Sequence, residues 1–199
     1  LARQLRFEDT PALVVACAGG AALGALNGSL VAYLRLPSIV VTLATMVALR
    51  DALRWTTEGA WVQDLPARFQ WFGLSQTAYP FLALLVSVGL LVLMAWGSAN
   101  LAAGRAIYAT GSNPDAARLA GFDTARVKWA VFTTAGALTG LAAVLNSVRF
   151  NQIPSNAGIG LEMKVIAAAV VGGTAIRGGS GSLLGTLLGV VLLGAIGPA

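Results

Sequence analysis

Ser38, Thr42 and Thr45 fall at i, i+4 and i+7 of an otherwise apolar stretch, so a helix there carries three hydroxyls on one face. Such a row has two chemical uses. The hydroxyls exchange hydrogen bonds with a hydroxylated solute along a polar path, or each bonds back to the carbonyl four residues earlier and needs no ligand. Pro37, just ahead of the row, marks a helix entrance and tips the reading toward the path. Asn27 and Asn146 also lie in apolar stretches, where an amide acts as a hydrogen-bonding group between helices. No covalent or metal chemistry accompanies these groups. The chain has no histidine and one cysteine, Cys17, inside an apolar run. That excludes His-based metal sites, proton relays, catalytic triads and intrachain disulfides. Gly-x-x-x-x-Gly-Lys-Ser/Thr does not occur, so ATP hydrolysis has no seat here, and the glycines at 178–181 read as a membrane turn rather than a phosphate cradle. No catalytic, cofactor-binding or metal-binding residue is expected.

The elements that hold these residues follow from charge. Of 199 residues, 57% are hydrophobic and only 11% charged, with a mean hydropathy of +0.77. A water-facing domain carries about 25% charged residues, so a soluble enzyme, a disordered tail and a nucleic-acid binder are excluded. The net charge of +5 belongs to loops rather than to a DNA-binding face. Charges are absent from 10–34, 36–49, 69–104, 129–148, 165–176 and 178–199. Since about 20 apolar residues span the bilayer as a helix, spans are expected at about 11–34, 36–53, 79–96, 129–148, 161–176 and 183–199. The second is closed early by Arg50 and Asp51. The fifth is short, either a tilted helix extended by 161–164 or a half-helix whose broken backbone lines a protein-buried cavity. The chain starts at Leu1 and stops inside an apolar run, so 1–199 reads as a single transmembrane domain truncated at both ends.

Glycines recur at four-residue spacing in three of these spans: Gly20, Gly24 and Gly28; Gly136 and Gly140; Gly181, Gly185 and Gly189. Residues four apart share a helix face, and glycines there let two backbones approach closely. The fold class expected is an all-α polytopic membrane protein, a bundle of Gly/Ala-packed helices with one or two short or broken.

The segment 97–128 holds Arg105, Arg118, Arg126 and Lys128, the largest basic count of any loop, which assigns it and Arg35 to the cytoplasm. Segments 54–78 and 149–164 then face the other side. The first of these, with Trp55, Trp61, Phe69, Trp71 and Phe72, suits an amphipathic stretch at headgroup depth. Within 97–128, Asn113 is a good N-cap, Pro114 fits the first helical position, Asp115 complements the positive end of the helix dipole and Gly121 supplies a left-handed stop. The helix between them has about two turns, too short to stand alone, so its own domain or a partner holds it. Ala116, Ala117, Leu119 and Ala120 give it a small apolar surface bordered by charges, suited to a groove on another protein. Asp123 then caps a helix running through Arg126 and Lys128 into the next span.

The loop 104–122, Gly-Arg-Ala-Ile-Tyr-Ala-Thr-Gly-Ser-Asn-Pro-Asp-Ala-Ala-Arg-Leu-Ala-Gly-Phe, resembles the cytoplasmic loop of ribose/xylose/rhamnose-type ABC transporter permeases. Stretches 26–46, 170–174 and 178–186 extend the resemblance, in order, over nearly the whole chain. Gly59-Ala-Trp-Val-Gln-Asp-Leu-Pro66 looks most like permeases for rhamnose or the related furanosyl autoinducer. The resemblance implies a subunit of a bacterial inner-membrane importer of a monosaccharide. Its partners would be two cytoplasmic ATP-binding subunits, a second permease subunit, identical or not, and an extracytoplasmic solute-binding protein. It also implies that Asn113, Pro114, Asp115, Ala116, Ala117, Arg118, Leu119 and Gly121 form a coupling helix on the ATP-binding subunit. Ser38, Thr42 and Thr45 would line the translocation path. Family members are longer, so path residues on further spans are unassigned. Two other readings stay open: a secondary transporter, disfavoured because Asp51 and Glu162 lie at span ends, and a structural membrane subunit that moves nothing.

Overall fold

Each charge-free stretch that reaches the length of a span becomes a helix, because a backbone in hydrocarbon must satisfy its own hydrogen bonds. The computed structural model describes residues 9–60, 75–149 and 158–196. These form eight helices and no strand: α1 (Asp9–Ala32), α2 (Ser38–Thr56), α3 (Tyr79–Asn100), α4 (Ala102–Ser112), α5 (Pro114–Leu119), α6 (Thr124–Ser147), α7 (Leu161–Val171) and α8 (Leu183–Ile196). Within α1, α3 and α6, the stretches Ala12–Ala32, Tyr79–Asn100 and Thr124–Ser147 are long and apolar enough to cross a membrane. The molecule is an all-α polytopic membrane protein. The aromatic residues 61–74 and the loop residues 150–157 lie outside the described residues, as do 197–199.

The chain divides into two compact units, one of Leu1–Val86 with Lys128–Ala157, the other of Ser87–Val127 with Gly158–Ala199. In the first, α1 and α6 meet along the glycines. A methyl group on Gly20 would strike Gly136 O, and one on Gly24 would strike Phe132 O. Reciprocally, Gly136 lies on Gly20 O and Gly140 on Ala16 O. Gly28 continues the seam, 3.0 Å from Phe132 Cβ to a methyl placed there. Lipid tails are as apolar as leucine, so this close backbone packing, rather than hydrophobic burial, holds the pair. Tyr79, Val144 and Val148 are buried together at the end of the unit, with Ala16 and Ala83 against them, and Tyr79 Oη donates to Leu145 O. Outward, Phe81, Leu84 and Leu85 of α3 are exposed, as a lipid-facing surface requires.

α2 begins at Ser38 because Arg35 takes a left-handed backbone (φ 57°) and Pro37 occupies the N-cap. Its 19 residues measure about 28 Å, and Arg50, Asp51 and Arg54 fill its last two turns.

In the second unit the expected short span 161–176 is an 11-residue helix, α7, about 16 Å long against a hydrocarbon core of about 30 Å. Residues 161–164 do extend it, but it stops at Val171, where Gly172 and the left-handed Gly173 (φ 85°) follow. α8 returns antiparallel to it. A methyl on Gly185 would strike Gly172 O and one on Gly189 would strike Ala168 O, while Gly181 faces the Thr174 side chain.

Candidate coupling helix and polar stripe

α5 is six residues long, and such a length does not form a stable helix by itself. Four local devices hold it. Asn113 Oδ1 accepts from the backbone N–H of Asp115 at 3.0 Å and of Ala116 at 3.1 Å. Pro114 at the first helical position has no N–H to leave unsatisfied. At the far end Gly121 is left-handed (φ 87°). Phe122 N donates to Ala117 O and Gly121 N to Arg118 O, the paired bonds of a Schellman stop. Finally Arg118 Nε donates to Thr124 Oγ1 at 3.0 Å, and Thr124 is itself buried at the start of α6.

The outer face is charged around one large apolar side chain. Leu119 is 92% exposed. Asp115 and Arg118 pair at 3.4 Å in solvent, an exposed pair that contributes under about 1 kcal/mol. Asp123 Oδ1 accepts from Ala125 N and Arg126 N, as expected of the cap on the next helix, and Asp123 also pairs with Arg126 at 2.9 Å. One residue departs from the expected surface. Ala117 is buried, 3% exposed, on the side of α5 turned away from Leu119. The face open to a partner is therefore Ala116, Leu119 and Ala120, without Ala117.

On α2 the hydroxyl row takes the ligand-free alternative at two of its three positions. Thr42 Oγ1 donates to Ser38 O at 2.9 Å, and Thr45 Oγ1 lies 2.7 Å from Val41 O. Thr45 Oγ1 also lies 2.7 Å from the Asn27 amide on α1. A hydroxyl carries one proton, so both contacts are satisfied together when Asn27 turns its NH2 toward Thr45. This is the interhelical role expected of Asn27. Asn146, read the same way, is exposed and makes no interhelical bond among the described residues. Ser38 is exposed at the head of the helix.

Several residues of this region carry no sequence signal. Tyr108 Oη donates to Gly181 O at 3.3 Å, and Gly111 abuts Gly178 and Gly179. Their partners are far along the chain, so no local spacing reports them. Thr110, on the buried side of α4, has an Oγ1 with no hydrogen-bond partner among the described residues, a cost of about 1–3 kcal/mol. Among the described residues no group of His, Cys, Asp and Glu is arranged to hold a metal.

Compared with known families, residues 9–197 match the one described as branched-chain amino acid transport system, permease component. Among curated proteins, the chain is 40% identical over 190 residues to the autoinducer 2 import system permease protein LsrC of Salmonella paratyphi B, covering 91% of this chain and 54% of that protein. It is 39% identical over 190 residues to the protein of the same name in Escherichia coli K12, again 91% of this chain and 54% of that one. The chain spans about half the length of the curated relatives it matches. No solved structure matches it.

Proposed function

Because the chain belongs to the family of branched-chain amino acid transport system permease components, we propose that it is the translocating permease subunit of an ATP-driven importer for a monosaccharide-like solute. The solute is a small polyhydroxylated molecule of the autoinducer 2 or rhamnose type, a reading supported by relatives at 40% identity that carry autoinducer 2 import in their names. The importer sits in the bacterial cytoplasmic membrane. It comprises this subunit, a second permease subunit, two cytoplasmic ATP-binding subunits and an extracytoplasmic solute-binding protein.

The observation that carries the proposal is α5, fastened at both ends yet presenting Leu119 almost wholly to solvent. A monomer gains nothing by rigidifying an exposed leucine. A docked partner gains a preorganised knob whose ordering cost is already met within this chain. The ATP-binding subunit receives Ala116, Leu119 and Ala120, flanked by Asp115 and Arg118, with segment 97–128 on the cytoplasmic side. ATP-driven closure of those subunits moves α5, and the spans rock between outward- and inward-facing states. The α2 row contributes to the path through Ser38 and through the Thr42 oxygen, whose proton is engaged but whose lone pairs accept from a solute hydroxyl. Thr45 serves instead to hold α2 to α1.

The test is uptake of labelled autoinducer 2 by membranes containing the full system, competed by a panel of monosaccharides. ATP-dependent uptake that autoinducer 2 or rhamnose suppresses is expected. Uptake indifferent to removal of the ATP-binding subunit sinks the importer reading, and uptake that no sugar competes sinks the choice of solute.

A further inference from the structure

The turn between α7 and α8 sits on the end of α4, immediately before α5 begins. Gly178 and Gly179 both take left-handed backbone, at φ 88° and 81°, which residues with a Cβ rarely adopt. This brings backbone against backbone. A methyl group on Gly111 would lie 2.6 Å from Gly179 N and 3.2 Å from Gly179 Cα, and one on Gly179 would lie 2.5 Å from Ser112 Cα. The Tyr108 hydroxyl, donating to Gly181 O at 3.3 Å, ties the same two segments a second time.

Both sides of this contact are stiffly attached to what lies beyond them. The turn is closed on itself by Ala175 N to Ser180 O at 3.0 Å and Gly178 N to Ala175 O at 2.9 Å. The Thr174 and Thr186 hydroxyls, 3.3 Å apart, fasten it to α8. On the other side Asn113 is at once the C-cap of α4 and the N-cap of α5, so α5 cannot tilt without disturbing α4. A displacement of α5 thus reaches the α7–α8 hairpin through close-packed backbone, with no flexible side chain between to absorb it.

We propose that Gly111, Gly178, Gly179 and Tyr108 are positioning residues that pass the movement of α5 into the α7–α8 hairpin. The proposal rests on the reading of α5 as the helix that docks the ATP-binding subunit.

In the assembled importer carrying the full chain, solute uptake and ATP hydrolysis are measured together, per copy of co-purified ATP-binding subunit. Gly111→Ala is expected to raise the ATP hydrolysed per solute taken up about tenfold, as a barrier change of about 1.4 kcal/mol does, with the ATP-binding subunit still bound. Tyr108→Phe, which deletes one surface hydroxyl, is expected to raise it roughly two- to tenfold, the range of one lost hydrogen bond. Gly97→Ala, whose methyl meets only Leu101 Cδ1 at 3.6 Å, leaves the ratio unchanged. A merely structural role lowers uptake and hydrolysis in step with the amount of complex and leaves the ratio alone; that result overturns the relay. Where Gly111→Ala does not assemble, Tyr108→Phe decides: a raised ratio supports the relay and an unchanged one overturns it. An unsubstituted chain that never binds the ATP-binding subunit overturns the importer reading instead.

Discussion

Asn113 concentrates the account at the level of single residues. One side-chain oxygen satisfies two orphan N–H groups of α5, while its backbone N–H closes α4 on Ala109 O. Replacing an Asn cap by Ala costs about 1 kcal/mol, a large sum for a six-residue helix. Asn113→Ala is therefore expected to weaken retention of the ATP-binding subunit about fivefold, the equivalent of that energy. Asn113→Asp keeps the acceptor and is expected to stay near the unsubstituted level. Affinity of the detergent-purified subunits checks this, and equal loss in both variants contradicts the capping role. These caps were legible in the sequence because they act within four residues of themselves: Asn113 on Asp115 and Ala116, Gly121 on Arg118. The inward turn of Ala117 was not, since which side of a short helix packs depends on chain outside it. That Thr42 gives its proton to the Ser38 carbonyl was equally hidden, because a carbonyl and a solute suit the same hydroxyl.

Among the elements, the α1–α6 seam shows how far a period can be read. The four-residue spacing selected Gly20, Gly24, Gly136 and Gly140, all of which meet backbone, while Gly19 faces open space. Gly24→Ala pushes a methyl into Phe132 O, an overpacking that costs about 1–3 kcal/mol. A lower unfolding midpoint in detergent is expected for Gly24→Ala and none for Gly19→Ala; equal midpoints contradict the seam. The α7–α8 hairpin was only half legible. Its brevity followed from Arg177 and the glycine cluster, but the seat of its turn on α4 did not, because Gly111 and Gly179 are distant in sequence and neither contact repeats. α4 itself was hidden inside a basic connecting segment, since its buried residues are the small or polar Gly104, Ala106 and Thr110 while Ile107 and Tyr108 stay exposed beside Arg105, so no large apolar face marks it.

For the molecule as a whole, low charge established a membrane protein, and family membership made it a permease component. On the function we propose, its work depends on one exposed helix, α5, through which another chain's ATP hydrolysis is felt. Two exposed apolar side chains separate that claim from general stickiness: Leu119, 92% exposed on α5, and Trp55, 87% exposed at the end of α2, outside the segment that we propose meets the ATP-binding subunit. The decisive measurement is photo-crosslinking in membranes containing the full importer, with a photoreactive side chain substituted at Leu119 or at Trp55. An adduct with the ATP-binding subunit is expected from position 119 and none from position 55. Absence of that adduct from 119, or equal adducts from both, contradicts the assignment of α5 as the coupling helix.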